Sequence, residues 1–385
     1  MTNQSSRCAL LWLFICFVEI SLYAQVLINE IHYRPANESV DEEFIELWNF
    51  GPEPVSIDGW QLNAGVRFKF TKITLPPDSG LVVAADKGRF NELHPEVHNV
   101  VGKWFGQLAN NGETVRLVDG TGATVDKVRY ATEGDWAGRT RGPQQGGHLG
   151  WIWQTAHDGG GRSIELIQPN LSNNHGQNWG TSLTKHGTPG RTNSIHTTNL
   201  APMILDVIHT PAVPRSTEPV TVSARLLDES PSRASARLVY RLDGETDYQE
   251  LLMARTNAEQ FAATIPQQNN GKIVEFYVSA TDGQGAIRNW PSAIPDCPRL
   301  LYQVDDQVIP LGRPAHRIIL TRSERNELAK IGRRPWHNSS NAQMSGTFIN
   351  HKGGEISVRY NVGVRLRGST SRAAEHKSRR VNFPN

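Results

Sequence analysis

Three glutamates carry the first hint of chemistry. Glu30 sits in the run "VLINEIHY", and Glu43 and Glu46 sit in "EEFIELWNF". Carboxylates on neighbouring strands can make an acid–base pair or hold a divalent cation. No His or Asp stands beside them at a spacing typical of a metal site. The spacing therefore supports a structural role, with the carboxylates binding backbone amides and cross-strand arginines at strand ends. "TAHDGGGRS" places His157 and Asp158 beside three glycines, but the flanking strand, helix and Gly-Lys-Ser/Thr ending of a phosphate loop are missing, so a flexible turn is expected. Trp60, Trp136, Trp151, Trp153 and Trp179 could stack on sugars; packing at the core or its rim is the expectation. Cys297 is the one cysteine outside the N-terminal segment that holds Cys8 and Cys16, and no His/Asn constellation surrounds it. It reads as a small buried side chain, and no intrachain disulfide is expected once that segment is removed. No catalytic, cofactor-binding or metal residue is assigned.

Between about residues 25 and 196, short β-type runs recur with turn signals between them, among them Asp58-Gly59, Pro76-Pro77, Asn111-Gly112 and Asp119-Gly120. No long 3.6-residue apolar period appears, and "DKGRFNELHPEV" is at most a short helix. The pattern predicts an antiparallel sandwich or barrel. Its motifs are Asn29-Glu30 on the first strand, the strand from Glu43 to Asn49, Asp58 to Leu62, and Asn110 to Leu117; the segment closes on "RSIELIQPNLSNNHGQNWGTSLTKHGTPGRTNS". In this order they resemble the lamin tail domain family as found in secreted bacterial proteins. The resemblance implies an immunoglobulin-like β-sandwich.

A second module is expected at about 199–305, entered through a Pro-containing linker. Alternation puts Val220, Val222, Ala224 and Leu226 on one strand face; Leu238, Tyr240 and Leu242 on another; and Val274, Phe276, Val278 and Ala280 on a third. Period-2 alternation of this kind marks sandwich strands packed on one side, and the module reads as an Ig or fibronectin type III-like spacer.

Charge changes sharply near residue 310. From Arg313 onward there are 15 Lys/Arg against 4 Glu and no Asp, a net of +11, whereas the preceding residues carry 25 against 34, a net of −9. Ile318 to Leu320 predict a strand, and Thr321 or Ser323 can cap a short helix with Glu324 in its first turn and Lys330 toward its end. Arg367-Gly368-Ser369-Thr370-Ser371 and the basic strand Lys377 to Phe383 follow. These resemble the start of the spore-coat CotH kinase family. The resemblance implies a secreted, kinase-like domain that uses ATP and a divalent metal, with catalytic acids much later in sequence. No acidic residue follows Glu375, and phosphoryl transfer needs carboxylates to hold metal and orient the nucleophile. Residues 313–385 are thus expected to be an incomplete α+β fragment, poorly ordered or wrongly packed by itself.

The N-terminus, residues 1–24, has the form of an export signal: Arg7, the apolar run "CALLWLFICFVEISLYA" and the small residue Ala24. A retained membrane anchor is the alternative. The expectation is a mainly β, secreted or cell-surface protein that is non-catalytic as given and needs no cofactor. It works through binding or scaffolding of proteins or extracellular polymers, without nucleic-acid partners. The alternative is a fragment of an extracellular CotH-like kinase.

Overall fold

The structure, a computed structural model, describes residues 26–291, 297–307, 314–331, 340–352, 355–368, 372 and 376–384. The expected export segment and Ser369–Ser371 of the arginine–glycine motif lie outside them.

The first module contains β1 (Val26–His32), β2 (Phe44–Asn49), β3 (Val55–Ser56), β4 (Gln61–Ala64), β5 (Phe68–Lys69), β6 (Thr74–Leu75), β7 (Ser79–Ala84), α1 (Lys87–Leu93), β8 (Val100–Gly102), β9 (Thr114–Val118), β10 (Thr124–Arg129), β11 (Gly138–Arg141), β12 (Trp151–Gln154), β13 (Ile164–Leu166) and β14 (Trp179–Thr181). One sheet runs β14-β13-β1-β2-β7-β8, and a second, β10-β9-β4-β5, faces it. Ile45, Leu47, Leu81 and Val83 from the first sheet meet Leu62, Val115, Leu117 and Val128 from the second in one core. This is the Ig-like sandwich expected. Asp86 caps α1 by accepting from Arg89 N at 2.8 Å, and α1 buries Phe90 against Phe44, Val82 and Val100 on the outer face of the first sheet.

In the second module β15 (Met203–Thr210), β16 (Val220–Leu227), β17 (Ser235–Leu242), β18 (Gln249–Arg255), β19 (Gln260–Ile265), β20 (Ile273–Thr281), β21 (Ile287–Trp290) and β22 (Leu300–Gln303) form one sheet that folds over itself. The alternating residues point inward as read. Val222, Ala224 and Leu226 pack with Leu238, Tyr240, Val274, Phe276, Val278 and Ala280.

The third part has β23 (Ala315–Ile319), α2 (Arg322–Lys330), β24 (Met344–Lys352), β25 (Glu355–Leu366) and β26 (Arg379–Asn382), in the sheet order β23-β24-β25-β26. Thr321 caps α2 through Glu324 N at 3.2 Å. Here the expectation of a poorly packed fragment is corrected for the described residues. Leu328 and Ile331 cover Met344, Val362, Val364 and Leu366, and Ile319 and Ile349 join Ile273 and Leu301 of the second module in a shared apolar cluster. Tyr360 reaches His209 of β15 through its hydroxyl, and Arg317 pairs with Asp305. The basic segment is held because an acidic and apolar neighbour covers the surface it would otherwise expose.

The modules are also tied at the first boundary. Gln177 donates to Ile204 O at 2.7 Å and accepts from Ile204 N at 2.8 Å, so a side-chain amide completes the edge of β15. Among the described residues no helix is long and apolar enough to cross a membrane.

Gly187 closes the first module. Its φ of +83° is left-handed, and a Cβ there would run into Glu30 Oε1 and Ser163 Oγ. Gly187→Ala is expected to cost on the order of 2–3 kcal/mol in urea unfolding; an unchanged midpoint would show that the loop relaxes freely.

Candidate functional site

The glutamates singled out in the sequence are brought together, but as structure. On β1, β2 and β13, Glu30 lies opposite both Glu46 and Glu165, in a row across the outer face of the sheet. All three are buried. The loop that follows β14 folds back over them and supplies donors. Thr188 N gives to Glu30 at 2.8 Å, Gly190 N to Glu46 at 2.6 Å, and Thr188 Oγ1 and Ser194 Oγ to Glu165 at 2.7 and 2.8 Å. Ser163 also donates to Glu30, and Asn29 to Glu46 at 2.8 Å. The expected amide donors are present; hydroxyls and an amide side chain stand where arginines were anticipated. Burial, reinforced by the neighbouring carboxylates, raises the Glu30 pKa well above normal and raises that of Glu46. The row is a latch that fastens the loop to the sheet. Among the described residues no group of three or more His, Cys, Asp or Glu side chains could hold a metal ion.

Glu43 stands apart and accepts from Leu108 N at 2.9 Å. His157 Nε2 donates to Trp136 O at 3.0 Å and Nδ1 accepts from Tyr33 Oη at 2.6 Å, and Asp158 pairs with Arg34 at 2.6 Å. These contacts pin the glycine turn to β1. Trp136 stacks on Trp179 at 5.9 Å, Trp60 packs half-buried on the core, and Cys297 is buried.

The remaining two tryptophans lie elsewhere, in a place the sequence reading missed. β11 and β12 form a separate two-stranded hairpin that leaves the sandwich. Its register sets Arg139 opposite Trp153 and Arg141 opposite Trp151. Each guanidinium covers its partner's ring, at 4.8 and 3.9 Å from the centroid. The signal was available in "GRTRGPQQGGHLGWIWQ": arginines and tryptophans two apart on facing runs, a pattern a hairpin turns into cross-strand pairs.

This hairpin grips the C-terminal sheet. Trp151 N donates to Gln343 O at 2.7 Å, and Arg139 Nη1 to Asn361 O at 2.7 Å. A Cβ on Gly150 would collide with the backbone of Ala342 and Gln343, so the close approach requires glycine there. Glu324, in the first turn of α2 and 7% exposed, accepts from Trp151 Nε1 at 2.9 Å and Ser345 N at 3.2 Å, with Arg141 at 3.3 Å. His148 lies 2.8 Å from Glu327. Two clefts flank the grip. One, of about 450 Å³, joins Arg141, Trp151, Arg241, Tyr248, Cys297 and Glu324. The other, of about 630 Å³, lies between β12 and the sheet and is lined by Arg139, Trp153, Gln343, Arg380, Asn382 and Phe383 among others. Burial lowers the Arg139 pKa to about 10, which leaves it a cation at neutral pH.

Residues 21–132 match the family model of the Lamin Tail Domain. No curated protein matches the chain. The matched span ends after β10, yet the first sheet of the module is completed by β13 and β14 and its latch by the loop beyond. The gripping hairpin likewise follows the matched span.

Two predictions follow from these geometries. Burial raises Glu43 from 4.5 to about 8 and lowers His32 and His157 from 6.5 to about 4. The raised acid stabilises the fold at low pH, and this contribution is lost as pH climbs from 4.5 through 8; the depressed histidines stabilise it above 6.5, a contribution lost as pH falls through 4. Glu43→Gln should therefore make the melting temperature fall less steeply between about pH 4.5 and 8 than it does in the parent chain. A pH profile unaffected by that change contradicts the assignment. Glu324→Ala strands the Trp151 and Ser345 N–H groups and should cost on the order of 2–3 kcal/mol. Hydrogen exchange in Met344–Leu366 should accelerate with it; unchanged protection there would mean that the grip contributes nothing.

Proposed function

We propose that the chain is an exported, non-catalytic binding scaffold in which a lamin tail domain, an Ig-like spacer and a C-terminal sheet present one composite surface. The observation that carries this reading is the grip of the β11–β12 hairpin on the C-terminal sheet. Trp151 and Arg139 bond to backbone across the junction, and Glu324 is sequestered beneath it. Such bonds fix the relative placement of the parts, which a scaffold needs and a string of loosely linked modules lacks. The lined clefts beside the grip supply the concave surface for a partner. Export is supported by Arg7 and the apolar run that follows it, and a partner is sought among extracellular proteins or polymers. No cofactor is invoked.

A second reading is favoured by the C-terminal sheet. Its β25 runs into Arg367-Gly368, and the basic motif forms β26, in the order of the CotH-like resemblance. On that reading the chain is part of an extracellular phosphotransferase acting with ATP and a divalent metal. Incubation of the purified chain with labelled ATP, Mg2+ and Mn2+ separates the two. No label should reach protein or added acceptors; transfer that depends on the divalent ion overturns the scaffold reading. Residues 1–24 fused to a reporter should direct its secretion, and retention of the reporter in the cell contradicts export.

A further inference from the structure

The cleft beside the grip is lined by two cations from different modules, Arg139 and Arg380. Arg139 is 5% exposed, yet its Nε has no hydrogen-bond partner, and among the described residues its guanidinium donates to a neutral carbonyl, Asn361 O. Across the cleft Arg380 of β26 forms part of the wall, and Arg365 of β25, which does not line the cleft, stands directly opposite it in register. Arg365 and the buried Arg372 both donate to one neutral oxygen, Asn341 Oδ1, at 3.0 and 2.6 Å. Arg372 also gives Nη1 to Ser340 O, while its Nε has no partner. Arg380 donates to Asn382 Oδ1 at 2.9 Å. Among the described residues, none of the ion pairs involves any of these four arginines. Like charges set opposite each other on a sheet are destabilising unless an anion lies between them. Two carboxylates, Glu133 and Asp158, reach the cleft from the lamin tail domain, and Asp158 is already held by Arg34.

We propose that this cleft binds an acidic saccharide, its carboxylate or sulfate group held by Arg139 and Arg380 and its hydroxyls met by Gln343 and Asn382. The proposal rests on the scaffold reading, because Arg139 and Arg380 belong to different modules and face one cleft only while the grip holds. Guanidinium groups suit planar oxyanions through paired N–H donors. Gln343 and Asn382 offer both donors and acceptors, as hydroxyl recognition requires, and are already set by their mutual bond of 2.7 Å. Gly363 leaves the floor between them without a side chain. The occupant is a saccharide in preference to a peptide because the cleft lies over a sheet face. An extended peptide gains its affinity from main-chain pairing along a sheet edge and from side-chain pockets. Single-stranded nucleic acid would need open aromatic platforms, and the rings of Trp151 and Trp153 are each covered by an arginine on one face.

The test measures binding of the purified chain to polygalacturonate and to dextran sulfate, with neutral dextran and poly-glutamate as comparators. At least one acidic glycan should bind, and the stronger of the two identifies uronate or sulfate as the source of the anion. Raised salt should weaken it. Arg380→Glu, at an exposed position, should lower affinity at least about tenfold, and Arg139→Lys should do the same by removing the planar fork. Arg237→Glu, which alters an exposed cation of the second module, should change nothing. Should Arg139→Lys fail to fold, Arg380→Glu alone decides. Absence of acidic-glycan binding, equal binding of dextran or poly-glutamate, or indifference to Arg380→Glu overturns the proposal. If the junction stays protected in hydrogen exchange while no glycan binds, the saccharide site fails and the scaffold stands. Loss of that protection in the wild-type chain removes the scaffold as well.

Discussion

The composite structure depends on one buried carboxylate. Glu324 belongs to the helix of the C-terminal sheet, yet its shortest contact is the indole N–H of a tryptophan in the first module. A carboxylate with so little exposure is costly unless its lone pairs are filled. Trp151, Ser345 and Arg141 fill them, and two of the three come from the other module. Separating the modules would strand the charge and the indole N–H together, and would take the Trp151 backbone amide from Gln343 O. The geometry of the clefts follows from that constraint, since their walls come from parts joined through it.

A related solution operates inside the first module. Glu30, Glu46 and Glu165 form a buried row, and each accepts at least one hydrogen bond from the loop after β14. Polar residues in this position give the loop a defined seat that an apolar face would not. Glycine at 187 is the backbone counterpart, leaving the space that Glu30 occupies. In both places glutamate serves to position backbone amides, and neither arrangement needs chemistry to explain its burial.

Much of the fold could be read from residue order. Alternation at Val220–Leu226 and Val274–Ala280 identified inward faces because a half-buried strand has no other way to hide alternate side chains. Thr321 and Glu324 marked the start of α2, since capping is local. The site was much less legible. Arg139 and Trp153 are 14 residues apart in sequence and meet only through a hairpin register that no local preference sets. The C-terminal segment was misjudged for a similar reason. Its surplus of +11 looks like self-repulsion when counted along the chain, whereas in space Arg317 meets Asp305, and the backbone N–H of Arg322 donates to Asp243 at 2.6 Å. Pairing between modules is a property of the assembled surface.

The most direct measurement is a double-mutant cycle in denaturant unfolding that combines Trp151→Phe with Glu324→Gln. If the indole and the carboxylate join the modules as described, the two changes should be coupled by about 1–2 kcal/mol. Effects that add to within about 0.3 kcal/mol would contradict the coupling and, with it, the composite surface.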